Sequence, residues 1–202
     1  RDLFVRQRTQ TINALRAHLA EHGLIAPQGM SNLANIRRLI DEAAAEVEPL
    51  VVETAHTYLE QIDDLSSRIL KLEATLKQEA ARTDASSRMM TMPGVGPITA
   101  MAIEAFAPSL CVFRRSRDFA AWLGLVPRQH STGGKQVLGR TSKMGQRDIR
   151  RLLIIGAMSV IRWATRKGTT PGTWLHSILL RKPRKVAAIA LANKMARTLW
   201  AM

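Results

Sequence analysis

Apolar positions recur at helical spacing from the first residues of the chain. Leu3, Phe4, Ile12, Leu15 and Leu19 predict a helix from about Asp2 to Glu21, closed at His22-Gly23 by a glycine able to take a left-handed C-terminal conformation. A Pro/Gly loop follows at Ala26-Pro27-Gln28-Gly29. Ser31 or Asn32 then caps a second helix through Ile36, Leu39 and Ile40, which ends before Pro49. The third helix is long. Val51, Ala55, Tyr58, Ile62, Leu65, Ile69, Leu72 and Leu76 alternate steps of four and three residues, the a/d repeat of a coiled coil over about three and a half heptads. Such a seam either meets a partner chain, with Tyr58, Ile62, Leu65, Ile69, Leu72 and Leu76 at a dimer interface, or lies on its own domain.

Beyond Ser86-Ser87 the pattern changes. Met92-Pro93-Gly94-Val95-Gly96-Pro97 reads as a tight turn whose last proline opens a helix through Met101, Ile103 and Phe106. A short helix is expected from about Phe119 to Leu123, ending at Gly124. The stretch from Val126 to Arg140, rich in glycine and basic residues, reads as an irregular loop or hairpin. Helix returns from about Gln146. Ile149, Leu152, Leu153, Val160 and Trp163 share one arc, while Arg147, Arg150, Arg151, Arg162 and Arg166 share the opposite one. Ile154, Ile155, Met158 and Ile161 interrupt the arginine side, so the helix middle is expected to be buried all round. Gly156 lies in the packing arc, where a neighbouring helix can come close. A last helix runs from about Lys185 to Met202.

Charge sharpens this picture. The 202 residues carry a formal net charge of +14, a surplus that points to a polyanionic partner. Residues 1–90 hold 11 basic and 13 acidic side chains, a net of −2, whereas residues 91–202 hold 19 and 3, a net of +16. The nucleic-acid surface therefore belongs to the second half. No apolar run reaches the roughly 18 to 20 residues of a membrane span. Cys111, the sole cysteine, suits a reducing cytoplasm and reads as a small buried hydrophobe. Both ends look cut from a longer protein.

Two stretches carry candidate chemistry. Gly94 and Gly96 resemble the turn of helix-hairpin-helix DNA-binding units, where glycines let backbone N–H groups approach a phosphate; the alternative is a plain interhelical turn. In His130-Ser131-Thr132-Gly133-Gly134-Lys135, a serine hydroxyl stands beside two glycines, with Arg128, Lys135, Arg140 and Lys143 near it in sequence. A serine that attacks a phosphate needs an unhindered hydroxyl and cations to stabilise the charge that builds up. The alternative is a turn residue. No metal site stands out, because the five histidines are scattered and residues 91–202 offer only Glu104, Asp118 and Asp148 as acids.

Several ordered blocks now resemble one family. Met92-Pro-Gly-Val-Gly-Pro-Ile-Thr-Ala, Phe119-Ala-Ala-Trp-Leu-Gly-Leu-Val-Pro-Arg-Gln-His-Ser-Thr-Gly-Gly-Lys, Leu138-Gly-Arg-Thr-Ser-Lys-Met-Gly-Gln and Arg150-Arg-Leu-Leu are similar to the C-terminal domain of an insertion-sequence transposase family. These are serine-dependent, bridge-RNA-guided recombinases related to Piv-type DNA invertases. The first 90 residues are similar to the family's joining segment. The resemblance implies that Ser131 is the nucleophile forming a covalent protein–DNA intermediate, with Thr132 and then Ser142 as the other candidates. It implies DNA and a guide RNA as partners, and Mg²⁺ held by an acidic, RuvC-like N-terminal domain that nothing in this sequence matches.

The expected fold is mostly α: linker helices over 1–48, a coiled-coil dimerisation helix over 49–88, and a compact helical transposase domain over 89–202 with a small irregular or β-hairpin insert. Arg128, Lys135, Arg140, Lys143, Arg147, Arg150, Arg151, Arg162 and Arg166, with Gly94 and Gly96, are its expected nucleic-acid contacts. A homo-oligomeric recombinase is the leading reading. Beside it stand a helix-hairpin-helix-like binding module with no chemistry and a basic structural RNA-binding protein.

Overall fold

A computed structural model describes residues 1–202, which divide into two compact units, Arg1–Thr75 and Leu76–Met202. The fold is mostly helical, with nine α-helices and a single pair of strands.

The first unit is built from α1 (Asp2–Glu21), α2 (Leu33–Ala43) and the first part of α3 (Pro49–Arg82), which runs on into the second unit. Gly23 ends α1 at φ +79. The N–H of Gly23 donates to the Ala20 carbonyl and that of Leu24 to Leu19, the paired bonds of a Schellman motif. Arg16 then fastens the following loop through two hydrogen bonds to the Ala26 carbonyl, 3.0 and 2.9 Å long. α1 lies antiparallel to α3: Arg1 bonds Glu73 (2.7 Å), Arg8 bonds Ser66 (3.2 Å), and His18 Nε2 donates to the Val51 carbonyl (3.1 Å).

That arrangement settles what the a/d repeat of α3 meets within this chain. Ala55, Leu59 and Ile62 form one cluster with Ile12, Leu15 and Leu19 of α1 and Ile36 and Ile40 of α2. Leu65 and Ile69 are buried as well, and Tyr58 packs on the cluster's edge. The upper seam is thus filled from inside its own chain. A heptad pattern specifies an apolar stripe but not whose helix covers it. Leu72 and its neighbour Leu70 stay exposed, and Leu76 is half-buried.

In the second unit an extended Thr83 separates α3 from α4 (Asp84–Met90). There follow α5 (Pro97–Phe106), α6 (Ser116–Trp122), the hairpin strands β1 (Pro127–Gln129) and β2 (Leu138–Thr141), α7 (Arg147–Lys167), α8 (Trp174–Arg181) and α9 (Arg184–Trp200). The core is centred on α7 and α9. Leu153, Ala157 and Ile161 of α7 share a cluster with Ala187, Ala188, Ala192 and Ala196 of α9, whose small side chains let the helices approach closely. Phe119 of α6 is fully buried beneath Phe113 and Trp122. Trp200 donates its indole N–H to the carbonyls of Leu110 (3.0 Å) and Phe113 (3.1 Å), pinning the segment before α6.

The buried stripe of α7 differs from the predicted arc. Ile161 is buried, but Trp163 is 62% exposed and Ile155 57%, so the helix is not buried all round. Cys111 is exposed rather than buried, because a single 3₁₀ turn at Leu110–Val112 points it outward, where Ser109 lies 2.9 Å from its sulfur. α8 has no counterpart among the predicted elements.

Candidate nucleic-acid interface

The two glycine-bearing turns serve different ends. Gly94, at φ +89, packs directly against α7: a β-carbon on Gly156 would stand 1.9 Å from the Gly94 carbonyl oxygen, and one on Gly94 2.8 Å from the Gly156 oxygen. The Gly94 turn is therefore a close-packing joint between the start of α5 and the middle of α7. Gly96 is exposed and extended and caps α5, with open space around it.

The second turn lies at the end of the β1–β2 hairpin. Gly133 and Gly134, at φ +55 and +77, occupy both central positions of a two-residue turn, the conformation that matches the right-handed twist of paired strands. Thr132 and Lys135 flank it and exchange backbone hydrogen bonds of 3.3 and 3.0 Å. One residue before Thr132, the Ser131 hydroxyl is fixed by two partners. It accepts from the Val137 N–H across the hairpin (3.1 Å) and donates to Gln129 Oε1 on its own strand (3.2 Å). Ser131 is solvent-exposed. Gln129 thus orients the serine proton without taking it, since an amide oxygen is an acceptor and not a base. Gln129 did not stand out in the sequence because residues two apart share a face only where the chain is extended, which the loop-like composition there did not reveal.

Lower down, the strands pair as Pro127 with Thr141 and Gln129 with Leu138, so β2 carries an extra residue opposite Arg128. This bulge holds Gly139 and Arg140. The His130 ring lies across Gly139, where any β-carbon would meet it at 2.6 Å.

Arg150 closes the hairpin base. It is 9% exposed, and its guanidinium donates to the carbonyls of Leu123, before the hairpin (2.9 Å), and Met144, after it (3.1 Å). Burial, and then the charge of neighbouring Arg147, hold its pKa below the ordinary arginine value, yet an arginine keeps its proton in a protein. Arg150 is therefore a structural tie rather than a phosphate contact, a correction to its place among the solvent-facing arginines. Gly124 and Gly145 complete the joint: a β-carbon on the first would strike the Met144 oxygen at 2.0 Å, and one on the second the Trp122 oxygen at 1.8 Å. Lys143, held at φ +55, donates its N–H to the Gly124 carbonyl, and Ser142, half-buried, donates its own to Val126.

Apart from Arg128, which is exposed on β1, the remaining expected contacts fall into three groups. Ser131, Thr132 and Lys135 share the hairpin tip, while Arg140 and Lys143 line a cleft at its base. Arg147, Arg151, Arg162 and Arg166 are exposed along α7, together with Trp163, over whose ring Lys167 sits at 4.8 Å. No group of three or more His, Cys, Asp or Glu side chains gathers where a metal would bind. Glu104 is engaged by Ser86 (2.6 Å), and Asp118 accepts from the Arg115 N–H (3.0 Å). No helix is long and apolar enough to cross a membrane.

The second unit is thus a cationic helical domain with an exposed, doubly hydrogen-bonded serine on a glycine-turn hairpin. Residues 86–170 match the family described as Transposase IS116/IS110/IS902, and over its whole length the chain is similar to several named transposases. It is 42% identical to a "Probable family 20 transposase" of Pseudomonas aeruginosa, covering 100% of this chain and 60% of that protein. It is 34% identical to the "Transposase for insertion sequence element IS1111A" of Coxiella burnetii, over 100% of this chain and 56% of the relative. The "Transposase for insertion sequence element IS1328" of Yersinia enterocolitica is also 34% identical, over 99% and 59%. The chain thus spans somewhat more than half the length of the curated relatives it matches.

Proposed function

We propose that this chain is the joining segment and strand-transfer domain of an insertion-sequence transposase that recombines DNA through Ser131. The observation that carries this reading is the Ser131 hydroxyl, exposed at the hairpin tip and oriented by Val137 and Gln129. In the proposed step a bond forms between Ser131 Oγ and a DNA phosphorus, the bond from that phosphorus to one flanking sugar oxygen breaks, and the serine proton ends on the departing oxygen. Lys135 on the same tip supplies positive charge near the phosphate. A structured guide RNA, paired with the DNA as in the bridge-RNA-guided recombinases related to Piv-type invertases, selects the sites. The side chains present do not fit Mg²⁺, and the step above is not routed through it; in this reading the metal belongs to an acidic RuvC-like domain of the longer protein. Self-association is also proposed, and the exposed Leu70 and Leu72 on α3 support it.

The test uses the full-length protein with guide RNA, Mg²⁺ and a nicked suicide substrate. Ser131→Ala abolishes covalent attachment and strand exchange while leaving nucleic-acid binding within about twofold, since removing an exposed hydroxyl disturbs little else. Thr132→Ala and Ser142→Ala still attach. Mass spectrometry of the nucleotide-bearing peptide reads the attachment point, and a modified Thr132 or Ser142 rejects the assignment.

A further inference from the structure

A cleft in the second unit lies between the hairpin base and one side of α9, with the first residue of α8 at its edge, and has a volume of about 1170 Å³. Small-molecule sites run to roughly 300–1,000 Å³ and are mostly enclosed. This one is larger and open, as a groove that receives part of a polymer would be. Arg140 and Lys143 line it from the hairpin side, and Lys194 and Arg197 from α9. No acid lines it, and none of these four cations takes part in an ion pair. Four uncompensated charges around one concavity repel one another and favour a polyanion.

Trp174 adds a second kind of recognition. It is 40% exposed at the cleft edge, and Lys194 Nζ stands 5.0 Å from its ring centroid. An exposed indole beside cations is the platform on which a nucleic-acid base stacks, and stacking requires that base to be out of a duplex. Asn193 of α9 contributes a fixed polar group: its Nδ2 donates to the Leu125 carbonyl at 3.1 Å, which leaves the amide oxygen free to accept from a base.

We infer that this cleft seats an unpaired strand of nucleic acid, with a base on Trp174 and its phosphates along Arg140, Lys143, Lys194 and Arg197. The inference rests on the nucleic-acid reading above and deepens it by separating where a strand is held from where it is cut. Pro127 in the cleft and Ser131 at the tip are four residues apart along the first arm of the hairpin, a span of at most about 13 Å at about 3.3 Å per residue. A strand anchored at the base therefore passes the serine within a short run of nucleotides.

The experiment measures fluorescence anisotropy of the full chain with labelled 12-nucleotide single-stranded DNA, the same sequence as RNA, and the DNA duplex. Trp174→Ala weakens single-strand binding about tenfold and duplex binding less than twofold; Trp174→Phe, which keeps an aromatic face, stays within threefold of wild type. The independent variant Lys194→Gln/Arg197→Gln lowers the single-strand salt slope by about 0.7 for each charge removed, and its exposed positions leave the fold intact. The tighter of the DNA and RNA arms identifies the strand. Equal losses for duplex and single strand, or single-strand binding unchanged in Trp174→Ala, overturn the inference while leaving the nucleic-acid reading standing. Failure of the wild-type chain to bind any of the three oligonucleotides rejects both. A Trp174→Ala change in oligomeric state without a change in oligonucleotide binding assigns the cleft to protein–protein contact and also overturns the inference.

Discussion

The two units treat their charges in opposite ways. In the first, cations meet acids: Arg37 bonds Asp63, Arg38 bonds Glu42, Arg68 bonds Asp64, and Arg1 reaches Glu73. In the second, Arg82 meets Glu79 within α3, but Arg128, Lys135, Arg140, Lys143, Arg162 and Arg166 have no ion pair, and Arg150 spends its donors on carbonyl oxygens. Neither habit is chiefly about stability, since exposed pairs contribute about 0–1 kcal/mol. The difference lies in what remains for a partner. The first unit is electrostatically self-contained and held by its apolar stripe, whereas the second keeps an excess of positive charge that only a polyanion relieves.

The strongest break of this contrast strikes the stripe itself. Ile62→Asp puts a carboxylate into a fully buried site of the first unit and destabilises it by about 4 kcal/mol or more, read as lost helicity in circular dichroism and lower resistance to urea. Leu72→Asp, at an exposed site on the same helix, changes stability by less than about 1 kcal/mol. Light scattering on that variant asks whether a second copy covers the lower seam; an unchanged oligomer removes α3 from the interface. If Ile62→Asp left the unit folded and only dissociated an oligomer, the intramolecular packing described above would be wrong.

Next in size is Gly156→Ala, where the new methyl group meets the Gly94 oxygen and forces α5 and α7 apart. The expected cost is about 2–3 kcal/mol, and thermal melts that match the wild type would show the joint to be slack. Arg150→Met leaves two carbonyls without their donor and costs about 2 kcal/mol. Its charge-matched control is Arg162→Gln, which leaves the melt in place yet lowers the duplex salt slope by about 0.9 if the residue meets a phosphate. Equal effects of the two substitutions on stability would erase the distinction between a structural and a free arginine. Smallest is Arg37→Ala in the first unit, under about 1 kcal/mol despite the short contact to Asp63.

Much of this was legible where a local rule decides the outcome. Gly23 ends α1 and Pro97 opens α5, because backbone freedom or its loss acts at one residue. Helix is expected to return from about Gln146, and α7 does begin there, capped by the Gln146 side chain accepting from the Asp148 N–H. The a/d repeat was equally plain, but spacing carries no information on which helix fills a seam, and α1 and α2 lie tens of residues away in sequence. Arg150 shares an arc with other arginines; only the Leu123 and Met144 carbonyls, brought together by the hairpin, turn it inward. α8 was missed because eight residues after Thr170-Pro171-Gly172 give too few turns for a periodicity. The hairpin tip was readable as a unit, since Ser131 through Lys135 are consecutive. The cleft was not, because Arg140 and Arg197 are distant in sequence and meet only through the packing of α9.

The Arg150 tie also bears on how this hairpin can vary. By joining the chain just before the hairpin to the chain just after it, the guanidinium sets the loop's ends independently of what lies between them. For a loop whose ends are already fixed, added length is nearly neutral, with each doubling costing only about 0.6 kcal/mol of closure entropy. The hairpin tip can therefore be lengthened, shortened or rewritten while the helices beneath keep their packing, and sequence drift at Thr132–Gln136 is expected to alter what the tip contacts long before it alters whether the domain folds.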